Sequence, residues 1–423
     1  MVPDCNVRFL GADQECIVSS ASIHHGRDDA ASQPDASTAT LGVIGPLPAG
    51  VDIGTAIQVY AQWPPGPPGA GTLYTRFVGT ITDLVVEWFD VDQPLATIIA
   101  AGPLAAMGRF VIGDSPWPAE LDGARAARAI TLSGVDSDAT LRDPGTVNVL
   151  ARDVDAQPAL VVGSEAAEDG AGMLWERRDG LVGYADALHR RNTPIGIELD
   201  ACHVPLDAKW GKNLEGLVND VRIRYGTPPS GGEQPELHVT NQASIDARGR
   251  FDASITTRLA DQAAAQMRAD TILARQAIPA WIFAGVGLPI EFLPASDAGL
   301  VDDLLGLEVH SLMSVTGLPA GSPRTSALLW VEGWTETIEA AIGGGVGAWR
   351  IDFATSDYCA TGAIPRWDDV PSAQTWDTMD PAKTWDGISC LPPTVSRGRW
   401  DDVAASAKWD QQGAAITWDT WPG

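Results

Sequence analysis

Residues 5–102 consist of short runs rich in Val, Ile and Thr, and these runs are separated by Gly, Pro and Asp. Because β-branched residues favour strands while Gly, Pro and Asp favour turns, this spacing predicts a small antiparallel barrel or sandwich. The Pro- and Gly-rich residues 63–71 predict an exposed loop between two strands, since Pro removes backbone donors. The candidate strands are residues 6–10, 15–23, 37–44, 57–62, 73–83, 84–89 and 95–100.

A second β-rich region occupies residues 196–360. A broad Ala-rich apolar face, which includes Leu259, Met267 and Leu273, predicts one helix within it at about residues 258–277. The simplest arrangement is a second barrel with this helix packed across its side or end. The candidate strands here are residues 196–202, 214–225, 237–240, 281–293, 307–316, 326–341 and 346–354.

The intervening residues 105–195 have a mixed α/β pattern. Apolar stripes predict a helix at 118–132, which Gly134 would end, and a second helix at 155–168. Asp179-Gly180, between two β-prone runs, is the strongest hairpin signal in the chain. The predicted fold class is therefore mainly β (β+α). Two small β-barrel or sandwich domains, at residues 1–104 and 196–360, are joined by a mixed α/β segment at residues 105–195. A Trp-Asp extension at residues 361–423 follows them.

The C-terminal extension contains a repeated Trp-Asp dipeptide. The step is nine residues within each of two triplets and fifteen residues between them, and Pro392 and Pro393 lie in the longer interval. A step of nine residues is two and a half helical turns, so the period indicates repeated short units instead of one amphipathic element. The predicted protein-interaction residues are Trp367, Asp368, Trp376, Asp377, Trp385, Asp386, Trp400, Asp401, Trp409, Asp410, Trp418 and Asp419.

Tryptophan supplies a large apolar area and one N–H donor, and it is enriched at the centres of interfaces. We therefore expect the Trp-Asp extension to dock into pockets on the same protein or on a neighbour, in two separate stretches, with avidity from repetition. Two alternatives remain open at this point. The extension could be a disordered, adhesive segment, or it could bind carbohydrate, because Trp faces stack on sugars.

Composition restricts the partners. The chain has 423 residues, with 55 acidic against 28 basic side chains and a formal charge of -27, so free nucleic acid is not an expected ligand. Five scattered cysteines without a C-x-x-C pair argue against a zinc ribbon or a disulfide scaffold, although a Cys5–Cys16 bridge is conceivable. The sequence shows no secretory signal peptide and no apolar stretch that would span a bilayer.

His24 and His25, with Ser20, Ser22 and Asp28 nearby, supply the residue types of a hydrolytic triad. No G-x-S-x-G motif accompanies them, and we expect an ordinary surface or strand-end histidine pair. The remaining histidines stand alone, and the paired aspartates lack the Gly and Glu of a calcium loop. The Gly-rich residues 343–347 lie between two predicted strands, which suits a hairpin tip better than a nucleotide loop. We expect no active site, no metal and no cofactor.

Several segments resemble the minor tail, or baseplate hub-type, proteins of long-tailed (siphovirus-like) bacteriophages that infect actinobacteria. The resemblance covers most of the chain and rests on pattern. It is carried by Ser20-Ala-Ser-Ile-His-His-Gly-Arg-Asp-Asp29, Phe77-Val-Gly-Thr-Ile-Thr82, Leu214-Glu-Gly-Leu-Val-Asn219, Ile223-Arg-Tyr-Gly226, the helix up to Pro279, Trp330-Val-Glu-Gly-Trp334, Trp367-Asp-Asp-Val-Pro371 and Thr375-Trp-Asp-Thr378.

This resemblance implies a virion protein of the tail tip, synthesised in the host cytoplasm, whose two barrels assemble with other copies as a ring below the tail tube, most often a trimer. The implied neighbours are other tail proteins: distal tail, tape measure, and fibre or receptor-binding proteins. Some relatives carry a peptidase or cell-wall hydrolase domain, for which this sequence leaves no room after the second barrel. The leading hypothesis is a structural hub subunit. The alternative is a host-surface glycan-binding module of the same tail tip.

Overall fold

The structure is a computed structural model, and it describes residues 2–9, 14–30, 32–66, 71–90, 93–113, 116–204, 208–212, 214, 216–228, 232–341 and 346–358. The Trp-Asp extension therefore lies outside the described residues, as do residues 343–345 of the predicted Gly-rich hairpin tip at 343–347.

Six antiparallel strands at the start of the chain close into a barrel. They hydrogen-bond in the order β1-β4-β5-β6-β3-β2, and β2 pairs back with β1. Closure leaves no free strand edge within this cycle, and alternate side chains fill the interior, as Val7, Phe77 and Ile98 do. The strands are β1 Asp4–Phe9, β2 Gln14–Gly26, β3 Thr38–Ile44, β4 Ala56–Trp63, β5 Thr72–Asp90 and β6 Gln93–Ala101.

A mixed segment packs beside this barrel around its own apolar cluster, which includes Leu104, Trp117 and Tyr184. Gly134 ends the second helix with φ of 72°, and Gly180 has φ of 86° at the hairpin between two antiparallel strands. Both predictions from these glycines are confirmed. The elements are α1 Pro103–Arg109, β7 Glu120–Leu121, α2 Asp122–Ser133, β8 Asn148–Val149, α3 Ala159–Asp169, β9 Met173–Glu176 and β10 Val182–Ala185.

The rest of the described chain forms two units. The elements, in chain order, are β11 Ile195–Asp200, β12 Lys209–Gly211, β13 Asp220–Arg224, β14 Glu236–Thr240, α4 Gln242–Arg248, β15 Asp252–Thr256, α5 Gln262–Gln276, β16 Ile282–Ala284, β17 Gly287–Pro289, α6 Ala298–Gly306, β18 Leu312–Thr316, β19 Ala327–Ala340 and β20 Val346–Asp357. Short 3-10 turns lie at Ala139–Leu141, His189–Asn192, Ile290–Phe292 and Ala295–Asp297.

One of these units is a curled sheet in the order β11-β18-β19-β20-β17, in which β11 and β18 are parallel. Its core is continuous with that of the barrel. The mainly β fold class is confirmed, and this curled sheet takes the place of the predicted second barrel. Helix α6 covers part of it through Val301, Leu304 and Leu305.

The other unit is a small α/β element that contains the predicted long helix. We expected this helix, α5, to lie across a second barrel. The structure instead packs it against a three-stranded sheet in the order β14-β13-β15, with a separate core around Val221, Ile223 and Ala269. The short side chains of Ala265 and Ala269 allow helix α5 to approach β13 closely. The sequences of β13, β14 and β15 carry no signal that separates these strands from the larger sheet.

The barrel and the curled sheet are joined through strand β2, whose first residues pair with β1 and whose later residues pair with β19. Strand β2 pairs antiparallel with β19, from Gly26 opposite Gly333 to Ser20 opposite Glu339. At Gly26 the φ is +79°, and a Cβ would lie 2.3 Å from the carbonyl oxygen of Glu332. Only glycine suits that position, because any L side chain would be strained and would collide with backbone. The joint between the two sheets therefore depends on a glycine pair.

Adjacent residues on β6 provide a test of which face of the barrel is the core. Ile98 is fully buried, whereas Ile99 is 37% exposed. We expect Ile98→Ala to lower the free energy of unfolding by about 2–5 kcal/mol, because it leaves a cavity in a packed interior. The matched variant Ile99→Ala should cost less than about 1 kcal/mol, since part of that side chain already contacts water. Denaturant titration of both variants measures the difference, and equal losses would contradict the barrel's register.

Candidate functional site

A buried carboxylate lies where the barrel meets the curled sheet. Glu336, on β19, is fully buried, as is Arg76 on β5. The carboxylate of Glu336 accepts a 2.5 Å hydrogen bond from Nη2 of Arg76, and the single N–H of Nε is shared between the two carboxylate oxygens at 3.1 Å. The indole N–H groups of Trp334 and Trp349 also donate to this carboxylate, at 2.9 and 3.2 Å. Arg76 in turn donates to the carbonyl oxygen of Leu305 on α6. One ion pair thus ties the barrel to three elements of the second half.

A second buried carboxylate lies four residues earlier on the same strand. Glu332 pairs with Arg27, which follows β2, at 2.7 Å and with Arg190, from the mixed segment, at 2.6 Å. The hydroxyl of Ser356 also donates to it. We call Arg27, Arg76, Arg190, Glu332 and Glu336 the ionic seam, because together they connect the barrel, the mixed segment and the curled sheet.

The pKa of Glu332 reflects its two arginine partners in the ionic seam. Burial alone would raise the pKa of this carboxyl, but Arg190 and Arg27 outweigh it, and the pKa is lowered well below its ordinary value. Glu332 is therefore ionised at neutral pH. A buried charge that is fully paired stabilises the arrangement only as long as every partner is present.

His24 and His25, which we expected to be an ordinary surface or strand-end pair, lie near the end of β2 on opposite faces of the strand. Ser20, Ser22 and His24 alternate on one face, while His25 is buried on the other. His25 lies 2.8 Å from the hydroxyl of Ser37 through Nδ1 and 2.7 Å from the carbonyl oxygen of Arg76 through Nε2.

A carbonyl oxygen only accepts, so Nε2 of His25 carries the proton and Nδ1 accepts from Ser37. Both ring nitrogens are therefore occupied in the neutral form. Burial lowers the pKa of His25 to about 4. With both ring nitrogens occupied, His25 is not available to act with Ser20 or Ser22 as a hydrolytic triad would require.

A polar cleft of about 350 Å³ lies between α3 and the small α/β element. Arg152 and Arg258 both pair with Glu165 on its wall. Burial raises the pKa of Asp169 to about 6, although the backbone N–H of Arg258 donates to its carboxylate at 3.1 Å. Acidic and basic side chains neutralise one another in this cleft. Its ion pairs therefore connect the mixed segment to the small α/β element, and the cleft has no excess charge that would attract a charged ligand.

Within the described residues, no three His, Cys, Asp or Glu side chains form a group that could hold a metal ion. Cys5, Cys16 and Cys202 are free thiols, so the conceivable Cys5–Cys16 bridge is not formed. Burial raises the pKa of Cys5 far above that of an ordinary thiol. In the same part of the chain, no helix has the length and apolarity to cross a membrane.

Sequence reasoning missed the ionic seam, although β19 carried a signal for it. Glu336 shares the even-numbered face of this strand with Trp334 and Ile338, both of which are buried. A carboxylate interleaved with large apolar residues at a period of two indicates a buried acid that needs a cationic partner. The identity of that partner, Arg76, was not predictable, because 260 residues separate the two in sequence.

Comparison with solved structures places this fold among tail proteins. A 43 kDa tail protein of prophage MuSo2 from Shewanella oneidensis is 11% identical, with a TM-score of 0.54 over 84% of this chain and 100% of its own. A tail protein from Neisseria meningitidis MC58 is 10% identical, with a TM-score of 0.56 over 86% of this chain and 100% of its own.

The prophage tail protein gp18 from Listeria monocytogenes EGD-e is also similar. It is 10% identical, with a TM-score of 0.50 over 82% of this chain and 94% of its own. No protein-family model and no curated protein matches the chain. At such low identity the likeness establishes a shared fold, and nearly the whole length of each tail protein takes part in it.

The ionic seam predicts a large difference between two acid-to-amide changes. Glu336→Gln leaves the guanidinium of Arg76 buried without a counter-ion, and we expect a loss of about 3–5 kcal/mol in the free energy of unfolding. Asp352→Asn breaks an exposed ion pair with Arg350, 2.7 Å long, and should cost at most about 1 kcal/mol. Thermal and denaturant unfolding measure both. Similar losses in the two variants would contradict the role of the seam.

The stability contributed by His25 should be lost as the pH is lowered from about 6.5 to about 4, while Asp169, whose pKa is raised to about 6, acts in the opposite direction. The folded chain holds a proton on His25 less tightly than the unfolded chain does, because burial lowers that pKa to about 4. The unfolded state therefore binds more protons in this window, and acid favours unfolding. Burial also lowers the pKa of His310, which acts in the same direction. His25→Asn should flatten the stability-versus-pH curve relative to a matched His24→Asn variant, and identical slopes would contradict the assignment.

Proposed function

We propose that this chain is a structural subunit of a bacteriophage tail, built into the hub at the tail tip. The observation that carries the proposal is the fold: a closed barrel continuous with a curled sheet, shared with tail proteins of three bacterial genomes over more than 80% of the chain. Fold alone does not imply function, so further support must come from the chain's own residues.

The interior of the chain supports a mechanical role. The core of the barrel continues into the curled sheet, and the ionic seam connects both to the mixed segment. Relative motion of these parts would expose buried charges, which costs several kcal/mol per ion. A chain built in this way acts as one rigid body, and this suits a component that transmits force between a tail tube and its tip.

We propose that the subunit assembles with other copies as a ring below the tail tube, with three copies in the ring. Each chain contributes a closed barrel and a curled sheet, so three chains would place six β units around a central axis. Such a ring would adapt the symmetry of a tube to that of the tip. Its place in the virion would be the tail tip, after synthesis in the host cytoplasm.

The proposed partners are other tail proteins: distal tail, tape measure, and fibre or receptor-binding proteins. We assign their docking to the Trp-Asp extension, from Trp367 to Asp419, since each unit offers a large apolar ring beside a carboxylate. Repetition raises the effective concentration of the later units once the first has bound. The chemistry of the described part supports a non-enzymatic protein, because its buried acids and His25 are committed to structural hydrogen bonds.

The mass of the assembled protein tests the proposed ring. We expect the purified full-length chain, or the complex released from gently disrupted particles, to have three times the 44.6 kDa mass of one chain. Native mass spectrometry and sedimentation velocity measure this directly. A strictly monomeric species in both preparations would overturn the proposal.

A further inference from the structure

We propose that the first unit of the Trp-Asp extension, Trp367-Asp368-Asp369, docks on the exposed end of the β12–β16 ribbon of its own chain. The inference rests on the proposed docking role of the extension and assigns it a receptor surface. We call this surface the lysine ribbon; it comprises Lys209, Lys212, Trp281 and Ile282.

The lysine ribbon is a two-stranded element with one face inside and one face outside. Strands β12 and β16 are antiparallel, with Trp210 opposite Phe283 and Gly211 opposite Ile282. The rings of Trp210 and Phe283 lie 5.0 Å apart and face the core. The opposite face, which includes Lys209 and Ile282, points to solvent, and Ile282 is 42% exposed.

The open end of the ribbon adds apolar area and positive charge. In the register of the two strands Lys212 lies opposite Trp281, on the same side as Trp210 and Phe283. Trp281 is 37% exposed, and the Nζ atom of Lys212 lies 5.7 Å from its ring centroid. Close to the ribbon in sequence, Leu214 is 53% exposed and Ile278 is 61% exposed. Contiguous apolar groups bordered by charge mark interaction sites on soluble proteins.

Both lysines are unusual within this acidic chain. The sequence has four lysines, and the two in the described residues, Lys209 and Lys212, both lie on this ribbon. Neither forms an ion pair with a carboxylate of the described residues, whereas many of the arginines do. The ribbon therefore offers the ammonium group of Lys209 on the face of Ile282 and that of Lys212 beside the ring of Trp281.

The Trp-Asp extension carries the complementary groups. Its first unit has one indole followed by two carboxylates, in the sequence Arg366-Trp367-Asp368-Asp369-Val370. An indole packs well on an exposed apolar surface, and two aspartates match two lysines in number and charge. The same five residue types recur in the same order at residues 399–403, so the chain contains a second copy of the docking sequence for a neighbour.

The path of the chain brings this first unit to the lysine ribbon. Strand β20, the last described strand, runs beside β16. The N–H of Phe353 donates to the carbonyl oxygen of Val286 at 2.9 Å, and the hydroxyl of Thr355 donates to the carbonyl oxygen of Phe283 at 3.4 Å. Eight residues lie between Tyr358 and Trp367, and the nine residue steps that join them span at most about 30 Å. A short tether gives a high effective concentration, which favours docking on the same chain.

Site-specific cross-linking of the full-length protein tests the inference. With p-benzoylphenylalanine in place of Ile282, irradiation should link this position to the peptide that contains Trp367 to Val370, within one chain. The same photo-reactive residue in place of Ile53, which is 64% exposed on the barrel, should give no link to the extension. Circular dichroism verifies that both proteins are folded.

Charge reversal gives the matched control. The paired change Asp368→Lys and Asp369→Lys should abolish the cross-link, and adding Lys209→Asp with Lys212→Asp should restore it. Links only to residues 399–403, links only between chains, or no link to the extension would each overturn the inference. The mass of the same sample separates the two proposals: a trimer without the link refutes only this docking, whereas a monomer without the link removes support from both.

Discussion

Two glutamates on one strand, Glu332 and Glu336, hold arginines that come from three separate parts of the chain. Each carboxylate is fully buried, and the energetic cost of removing it from water is offset only by close ion pairs and by the hydroxyl and indole groups that donate to it. A shift of β19 against β2 by one residue would move these carboxylates to the wrong face and leave Arg76 unpaired. The seam therefore fixes the register at which the barrel and the curled sheet meet, and Gly26 permits the close approach there.

The buried polar groups of the interior hold the fold together, so we expect function at the surface. His25 is neutral and occupied by two hydrogen bonds, and the polar cleft beside Asp169 has acids and bases that neutralise one another. What remains is a stable frame that carries an acidic, Trp-rich extension at one end and a lysine-bearing apolar ribbon beside the point where that extension starts. This combination suits a protein whose work is assembly, and it agrees with a fold shared with tail proteins.

Local signals in the sequence predicted local structure well. The Asp179-Gly180 hairpin and the helix end at Gly134 follow from backbone conformations that only a few residues adopt, so they are independent of the rest of the fold. The alternating β runs likewise predicted a mainly β chain. The sequence did not show that α5 belongs to a small separate sheet, or that Glu336 pairs with Arg76, because both depend on contacts between distant segments. The domain boundaries and the role of the Trp-Asp residues stay predictions.

Electron cryomicroscopy of intact particles that contain this chain tests the central claim most directly. The account predicts three copies in a ring immediately below the tail tube, with each closed barrel and its curled sheet fitting the density as one rigid body. Density for the chain at any other position in the particle, or a single copy at the tail tip, would contradict it.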